Sequence, residues 1–316
     1  MIRRGGITIR LGLGDTGFLG SISRDVMSKE KIDEITRFNL LDVITLVYEL
    51  QLNAVCAQEF TTKLYALAQQ WVDRSCIREI HVKQLIGLST MVKNLPLQYK
   101  GMLAHAYDNI SLTNPTNIPA FFLVLVRFTS PGLPGLLSTI DQSIETLAKE
   151  VCPEARNFFG DLFTTIHAGG GSLNQDDTLK SLAVKDGKDA SPDDHITVLN
   201  HVLVEDKNSV VFDQLVGQLL KVAQVTFQPS SSASGDGLAG GPDNVFYRKA
   251  LSTEILRALT PVNGVRAYLM HGVWRTEWDH ENSHADPRFL EAAKKLAPYV
   301  IEGPVEPFYR DVWHVS

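Results

Sequence analysis

The sequence predicts a mainly α protein: two helical lobes, an extended N-terminal arm and a C-terminal tail. Three observations lead there. Apolar residues recur at i, i+3, i+4 and i+7 through most of the 316 residues, which is the stripe of an amphipathic helix. Proline sits at candidate first turns, at Pro153, Pro192 and Pro287, where a missing N–H costs nothing. Two tracts that cannot bury a core, an acidic one at 169–192 and a Gly/Ser one at 229–243, divide the helical blocks.

The elements follow in order. Residues 1–22 hold six glycines and three arginines, and Ile7, Ile9, Leu11 and Leu13 alternate with Thr8, Arg10 and Gly12. Period two gives a strand with one apolar face. A lone strand cannot satisfy its own backbone, so this arm is expected to dock on another copy. Residues 23–168 form the N-terminal lobe. Leu40, Leu41, Val43, Ile44, Val47 and Leu50 open a series of stripes over 54–73, 77–94, 98–108, 118–129, 134–150 and 154–167. The lobe 193–298 continues with 193–204, where the β-branched run Ile196 to Val204 also permits a strand. Its further helices are 209–227, 244–259, 262–276 and 287–297, with 229–243 as a mobile loop. A tail, 299–316, carries Val305, Phe308, Tyr309, Trp313 and Val315. No internal repeat is visible.

Composition narrows the class. At 44% hydrophobic and 21% charged, with mean hydropathy −0.03, the chain is too apolar for a disordered protein, and three cysteines do not make a disulfide scaffold. Ile118 to Val126 is the longest apolar run, far short of the ~20 residues that span a bilayer. Arg3 and Arg4 resemble the start of a signal peptide, but Gly5, Gly6, Arg10 and Gly12 interrupt any apolar segment behind them. The expected location is cytoplasmic or virion, without secretion or membrane contact. The net charge of −6 belongs wholly to residues 169–243, with 5 basic and 11 acidic side chains; the flanks hold 16 against 16 and 9 against 9. Neutral flanks leave room for a local basic groove.

Three short motifs suggest catalysis. Gly14-Asp-Thr-Gly17-Phe-Leu-Gly20 resembles the nucleotide-binding turn of short-chain dehydrogenases, but helices follow it instead of a βαβ unit. Asp15-Thr16-Gly17 resembles the aspartic protease triplet, present once in a chain expected to be helical. His280-Glu281-Asn282-Ser283-His284 resembles the zinc metalloprotease signature, in which two imidazoles one turn apart hold Zn²⁺ and the Glu is general base. That chemistry needs a helix through 280–284. Asp286-Pro287 reads as the cap and first turn of a later helix, so the motif is expected in a polar connection. Glu302 is a distant third ligand for this alternative.

Cations beside rings are the remaining class: Tyr99-Lys100, Arg127-Phe128 and Tyr247-Arg248-Lys249 each join a phosphate-seeking group to a stacking surface. Arg127, at the end of an apolar run, needs an anion, either an internal carboxylate or a bound phosphate. Arg266 lies about nine residues from both Arg257 and Arg275, a spacing suited to one groove.

Two helical lobes around a hinge, an exchanging arm and an aromatic tail resemble the nucleoproteins of negative-strand RNA viruses. The resemblance implies a self-assembling, non-enzymatic protein that coats single-stranded RNA between its lobes, without a cofactor. The RNA-binding residues expected are Tyr99, Lys100, Arg127, Tyr247, Arg248 and Lys249 from the cation–ring pairs and Arg266 from the arginine spacing. Ile7, Ile9, Leu11, Leu13, Phe308 and Trp313 are expected to join copies. The alternatives are a zinc hydrolase using His280, Glu281 and His284, and a helical scaffold that binds only protein.

Overall fold

A strand covered on both faces is apolar at consecutive positions, and sequence alone then reads it as part of a helix. Six expected helices of this chain are strands among the described residues. The computed structural model describes residues 43–72, 76–89, 119–128, 134–169, 195–224 and 250–316. In order these contain β1 (Ile44–Asn53), α1 (Ala57–Val72), β2 (Ile77–Leu88), β3 (Pro119–Phe128), α2 (Pro134–Val151), β4 (Arg156–Gly169), β5 (Ile196–Glu205), α3 (Ser209–Ala223), β6 (Ser252–Ala258), β7 (Val265–Trp274), α4 (Glu277–Ser283), α5 (Pro287–Leu296), β8 (Val300–Val305) and β9 (Pro307–Val315). More described residues are extended than helical, so the mainly α expectation is overturned. The stripes at 57–72, 134–151, 209–223 and 287–296 are helices as expected; those around 44, 77, 118, 154, 252 and 262 are strands, as is the run from Ile196, where a strand was also permitted.

Every strand pairing is antiparallel, in the order β7-β6-β4-β1-β3-β2-β9-β5, and β5 also pairs with β7 along its length. Eight strands therefore close into a ring, and no sheet edge in the ring is left open. β8 shares with β9 the second edge of β5. The ring has an internal repeat that the sequence conceals. Residues 44–169 run βαββαβ with strand order β4-β1-β3-β2, and residues 196–315 run the same way with order β9-β5-β7-β6. The fourth strand of each half pairs with the second strand of the other, through β4·β6 and β9·β2. The tail 299–316 thus carries β8 and, in β9, the closing strand of the second half.

Side-chain alternation sorts the two faces. In β1, Ile44, Leu46, Tyr48, Leu50 and Leu52 point outward into the main core with Phe60, Leu64 and Trp71 of α1 and Ile140 and Ile144 of α2. Thr45, Val47 and Glu49 point into the ring, where Val47 meets Leu123, Leu125, Phe163, Leu199, Leu256 and Leu269. The second half repeats this: Val202, Val204, Tyr268 and Ile255 pack outward on Phe212 and Val216 of α3 and on Leu296 at the end of α5.

The N-terminal arm with Ile7, Ile9, Leu11 and Leu13 lies outside the described residues, as do the loop 229–243 and most of the acidic connection. Phe308 and Trp313, expected to join copies, are instead committed within the chain. Phe308 is buried among Val198, Trp274 and Ala250. Trp313 donates from Nε1 to the Thr61 carbonyl of α1 (3.1 Å) and meets Tyr65 edge-on at 5.3 Å. Among the described residues no helix is long and apolar enough to cross a membrane.

Candidate functional site

Two polar groupings are buried in this fold. The first lies inside the ring and contains Arg127. Its guanidinium, 2% exposed, is bidentate to Glu254, Nη1 to Oε1 and Nη2 to Oε2, both at 2.7 Å, and Nε faces Glu79 Oε1 at 2.9 Å. Glu254 also accepts from Thr165 Oγ1 (2.5 Å) and faces His271 Nδ1 at 3.3 Å. Next to them Lys83 pairs with Asp311 and donates to Thr197 Oγ1 at 3.0 Å. Toward the other end Glu49 Oε1 accepts from Tyr309 (2.5 Å) and lies 3.1 Å from His201 Nε2. Burial pushes the Glu254 carboxyl up, but Arg127 and His271 outweigh it and hold it well below the usual range. Burial likewise holds His81 and His271 below the ordinary imidazole value.

This fixes where the expected RNA contacts fall. Arg127 has the internal carboxylates it needs and offers nothing to a phosphate. Arg266 is engaged as well, donating to Asp206 (2.6 Å) and to the Ala258 and Leu259 carbonyls (2.6 and 2.8 Å). Tyr99, Lys100, Tyr247, Arg248 and Lys249 lie outside the described residues.

The second grouping stands on the outer face of the second half. Thr276 caps α4, its side chain accepting from Asp279 N at 3.1 Å, and Asp286 caps α5 by accepting from Arg288 N at 2.8 Å, with Pro287 in the first turn. Two helices therefore run in tandem, the first carrying His280 and ending at His284. The expectation of a polar connection at 280–284 is corrected: the motif is helical, His280 is buried, and the i, i+4 spacing brings the rings to 4.7 Å centroid separation.

Glu306, between β8 and β9, supplies the third group. Its Oε1 lies 3.6 Å from His284 Nε2, and its Oε2 lies 3.9 Å from His280 Nε2. Asn200 of β5 donates from Nδ2 to Oε1 at 2.6 Å. One ligand atom from each of His280, His284 and Glu306 lies within 4.8 Å of the others. Neither Glu281, the expected general base, nor Glu302, the distant third ligand, belongs to this set. Sequence reasoning missed Glu306 and Asn200, because strand pairing rather than spacing brings them to the histidines.

Burial dominates at His280 and pulls its pKa down to about 4. At His284 burial also pulls down, but the nearby Glu306 carboxylate prevails and raises it. Burial pushes Glu306 up, yet the two histidines hold it below the usual carboxylate range. Trp274 and Phe308 close around His280 edge-on at 5.2 and 5.3 Å, and Phe289 does so around His284 at 5.0 Å.

A cleft of about 570 Å³ opens above this cluster, between the outer face of β5 and β7 and helices α3 and α5. Val202, Phe212, Leu219, Met270, Phe289 and Ala293 wall it, Asn200, His284 and Glu306 form its polar end, and Lys294 stands at the mouth. Behind the cluster a cavity of about 60 Å³ reaches His280, Trp274 and Gly272.

Two family profiles match the chain, each over less than half of it: an ABM-like domain over residues 43–132 and the CT0912-like C-terminal domain over residues 174–312. No curated protein matches. Among solved structures, a candidate monooxygenase from Lactobacillus acidophilus NCFM is 7% identical, with 87% of this chain and 96% of that one covered at a TM-score of 0.46. A second candidate monooxygenase, from Fusobacterium nucleatum, is 8% identical, covering 87% and 94% at a TM-score of 0.49. An anthrone oxidase-like protein is 12% identical, covering 87% and 93% at 0.45.

The ABM-like match and the closed antiparallel ring overturn the resemblance to viral nucleoproteins, and with it the RNA-coating function. The zinc hydrolase and the helical scaffold fall with them. The described residues form a strand ring flanked by helices in place of two helical lobes, and Glu281 is not among the grouped ligands.

Proposed function

We propose that this chain is an enzyme-type protein that binds a small, largely apolar molecule bearing a hydroxyl group. The observation that carries the reading is the 570 Å³ cleft with apolar walls and a few buried polar groups at one end, which is the usual build of a small-molecule site. The ABM-like match supports it. The polar end selects the hydroxyl: Asn200 Oδ1 is a buried acceptor with no hydrogen-bond partner, while the Nδ2 of the same amide is committed to Glu306. A buried acceptor left unpaired costs about 1–3 kcal/mol, so a ligand that donates there gains affinity over one that cannot. The reactive end of the ligand then rests against His284 and Glu306.

The test compares 1-naphthol with naphthalene, read by quenching of tryptophan fluorescence. The hydroxyl should tighten binding by about tenfold, the equivalent of roughly 1.4 kcal/mol. Ala293→Phe, which fills the cleft from α5, should abolish binding of both. Equal affinities, or unchanged binding in Ala293→Phe, would sink the proposal.

A further inference from the structure

We infer that His280, His284 and Glu306 hold one divalent first-row transition-metal ion at the floor of the cleft. The inference deepens the small-molecule reading, on which it rests only for the use of the coordination position facing the cleft.

Geometry carries it. The imidazole nitrogens stand 3.6 and 3.9 Å from the carboxylate oxygens, outside the ~2.7–3.2 Å of a hydrogen bond. Three donors on metal–ligand bonds of about 2.0–2.2 Å lie roughly 3.3–3.6 Å apart, near the two imidazole–carboxylate spacings, and one ligand atom from each residue lies within 4.8 Å of the others. The groups are therefore set too far apart to bond one another well and near enough to share an ion.

The surroundings agree with this. Glu306 Oε2 is a buried acceptor with no hydrogen-bond partner, directed at His280. Its other oxygen is fixed by Asn200, the outer contact that orients a ligating carboxylate. An ion pair of His284 with Glu306 accounts for one imidazole, and His280, buried among Trp274 and Phe308, shares the same carboxylate at 3.9 Å.

The donor set chooses the metal. Two neutral imidazoles and one carboxylate suit borderline divalent ions such as Zn²⁺, Co²⁺ and Fe²⁺, whereas Mg²⁺ and Ca²⁺ prefer oxygen alone. Three protein ligands also leave a position open. His284 and Glu306 both line the cleft, so that position faces the ligand.

The experiment uses the full-length, untagged chain, stripped with a chelator and titrated with Co²⁺ alone. Elemental analysis should give one tightly bound ion per chain, with visible bands typical of four- or five-coordinate Co²⁺. Glu306→Gln and His280→Ala should each weaken binding by about 100-fold, as loss of a direct ligand exceeds the 10–100-fold typical of outer contacts. Circular dichroism reports whether these variants fold. X-ray absorption on the unaltered protein serves if they do not, and should show two imidazoles and a carboxylate around cobalt. No bound cobalt, an all-oxygen shell, or equal affinity in folded variants would overturn the site. Co²⁺ binding without naphthol binding upholds the metal and removes the cleft reading; naphthol binding without Co²⁺ does the reverse.

Discussion

Replacing Arg127 with Met tests the barrel interior, because the two side chains are similar in length and differ in charge. In the native chain Arg127 makes three short contacts to two carboxylates, and Glu254 is fully buried. Removing one partner of such a pair strands the other in a medium that cannot solvate it, a loss of about 3–5 kcal/mol. At roughly 2–4 °C per kcal/mol, the melting temperature should fall by about 10 °C. The pH dependence gives a sharper criterion. Native Glu254 and Glu79 have depressed pKa values, so their contribution is present above the unfolded value near 4.3 and is lost as pH falls. His81 and His271, also depressed, add stability as pH rises through about 6.5. Without Arg127, a proton taken up by Glu254 or His271 relieves the stranded charge. The folded pKa of that group then lies above its unfolded value, and its contribution is lost as pH rises. Between pH 5 and 8 the native chain should therefore gain stability with pH while Arg127→Met loses it, as measured by thermal melts across that range. A shift of less than about 2 °C, or parallel slopes, would refute the assignment of the network as the ring's internal charge balance.

Two further outcomes follow from local geometry. Gly303→Ala should destabilise by about 2 kcal/mol in chemical denaturation: the residue has φ +102°, and an added Cβ would run into the His201 carbonyl of β5. Trp313→Ala should cost about 2–3 kcal/mol and loosen the last strand from α1, seen as faster amide exchange in β9 than in β5.

How far the sequence could be read depends on which faces of an element are covered. Helices α1, α2, α3 and α5 show one apolar face and one wet face, and their periodicity is plain. Asp286 and Pro287 mark the start of α5 with the cap they form in the structure. Strands β1 and β3 lie between helices outside and packed side chains inside, so Ile44–Leu52 and Pro119–Phe128 are apolar nearly throughout and match a helical stripe equally well. The few inward polar residues, Thr45, Glu49 and Arg127, hold period two, but they are too sparse to outweigh it. Arg127 was legible as a buried cation in need of an anion. Its partner Glu254 was not, since 127 positions separate them and only ring closure joins them. The motif at 280–284 was visible, while its helical state and the arrival of Glu306 depend on β8 and β9 closing against β5.

The manner of that closure restricts which halves can assemble. The two halves share a path and a strand order, yet each polar tie across the seams draws unlike members from the two sides: Arg127 with Glu254, Lys83 with Asp311, Glu49 with His201 and Tyr309. Two first halves brought together would enclose Lys83 and Arg127 without Asp311 or Glu254. Two second halves would enclose those acids without the bases. Similar in shape and complementary at these ties, the halves leave Arg127 and Lys83, or Glu254 and Asp311, short of partners when either meets a copy of itself, so mispairing is penalised from within the ring.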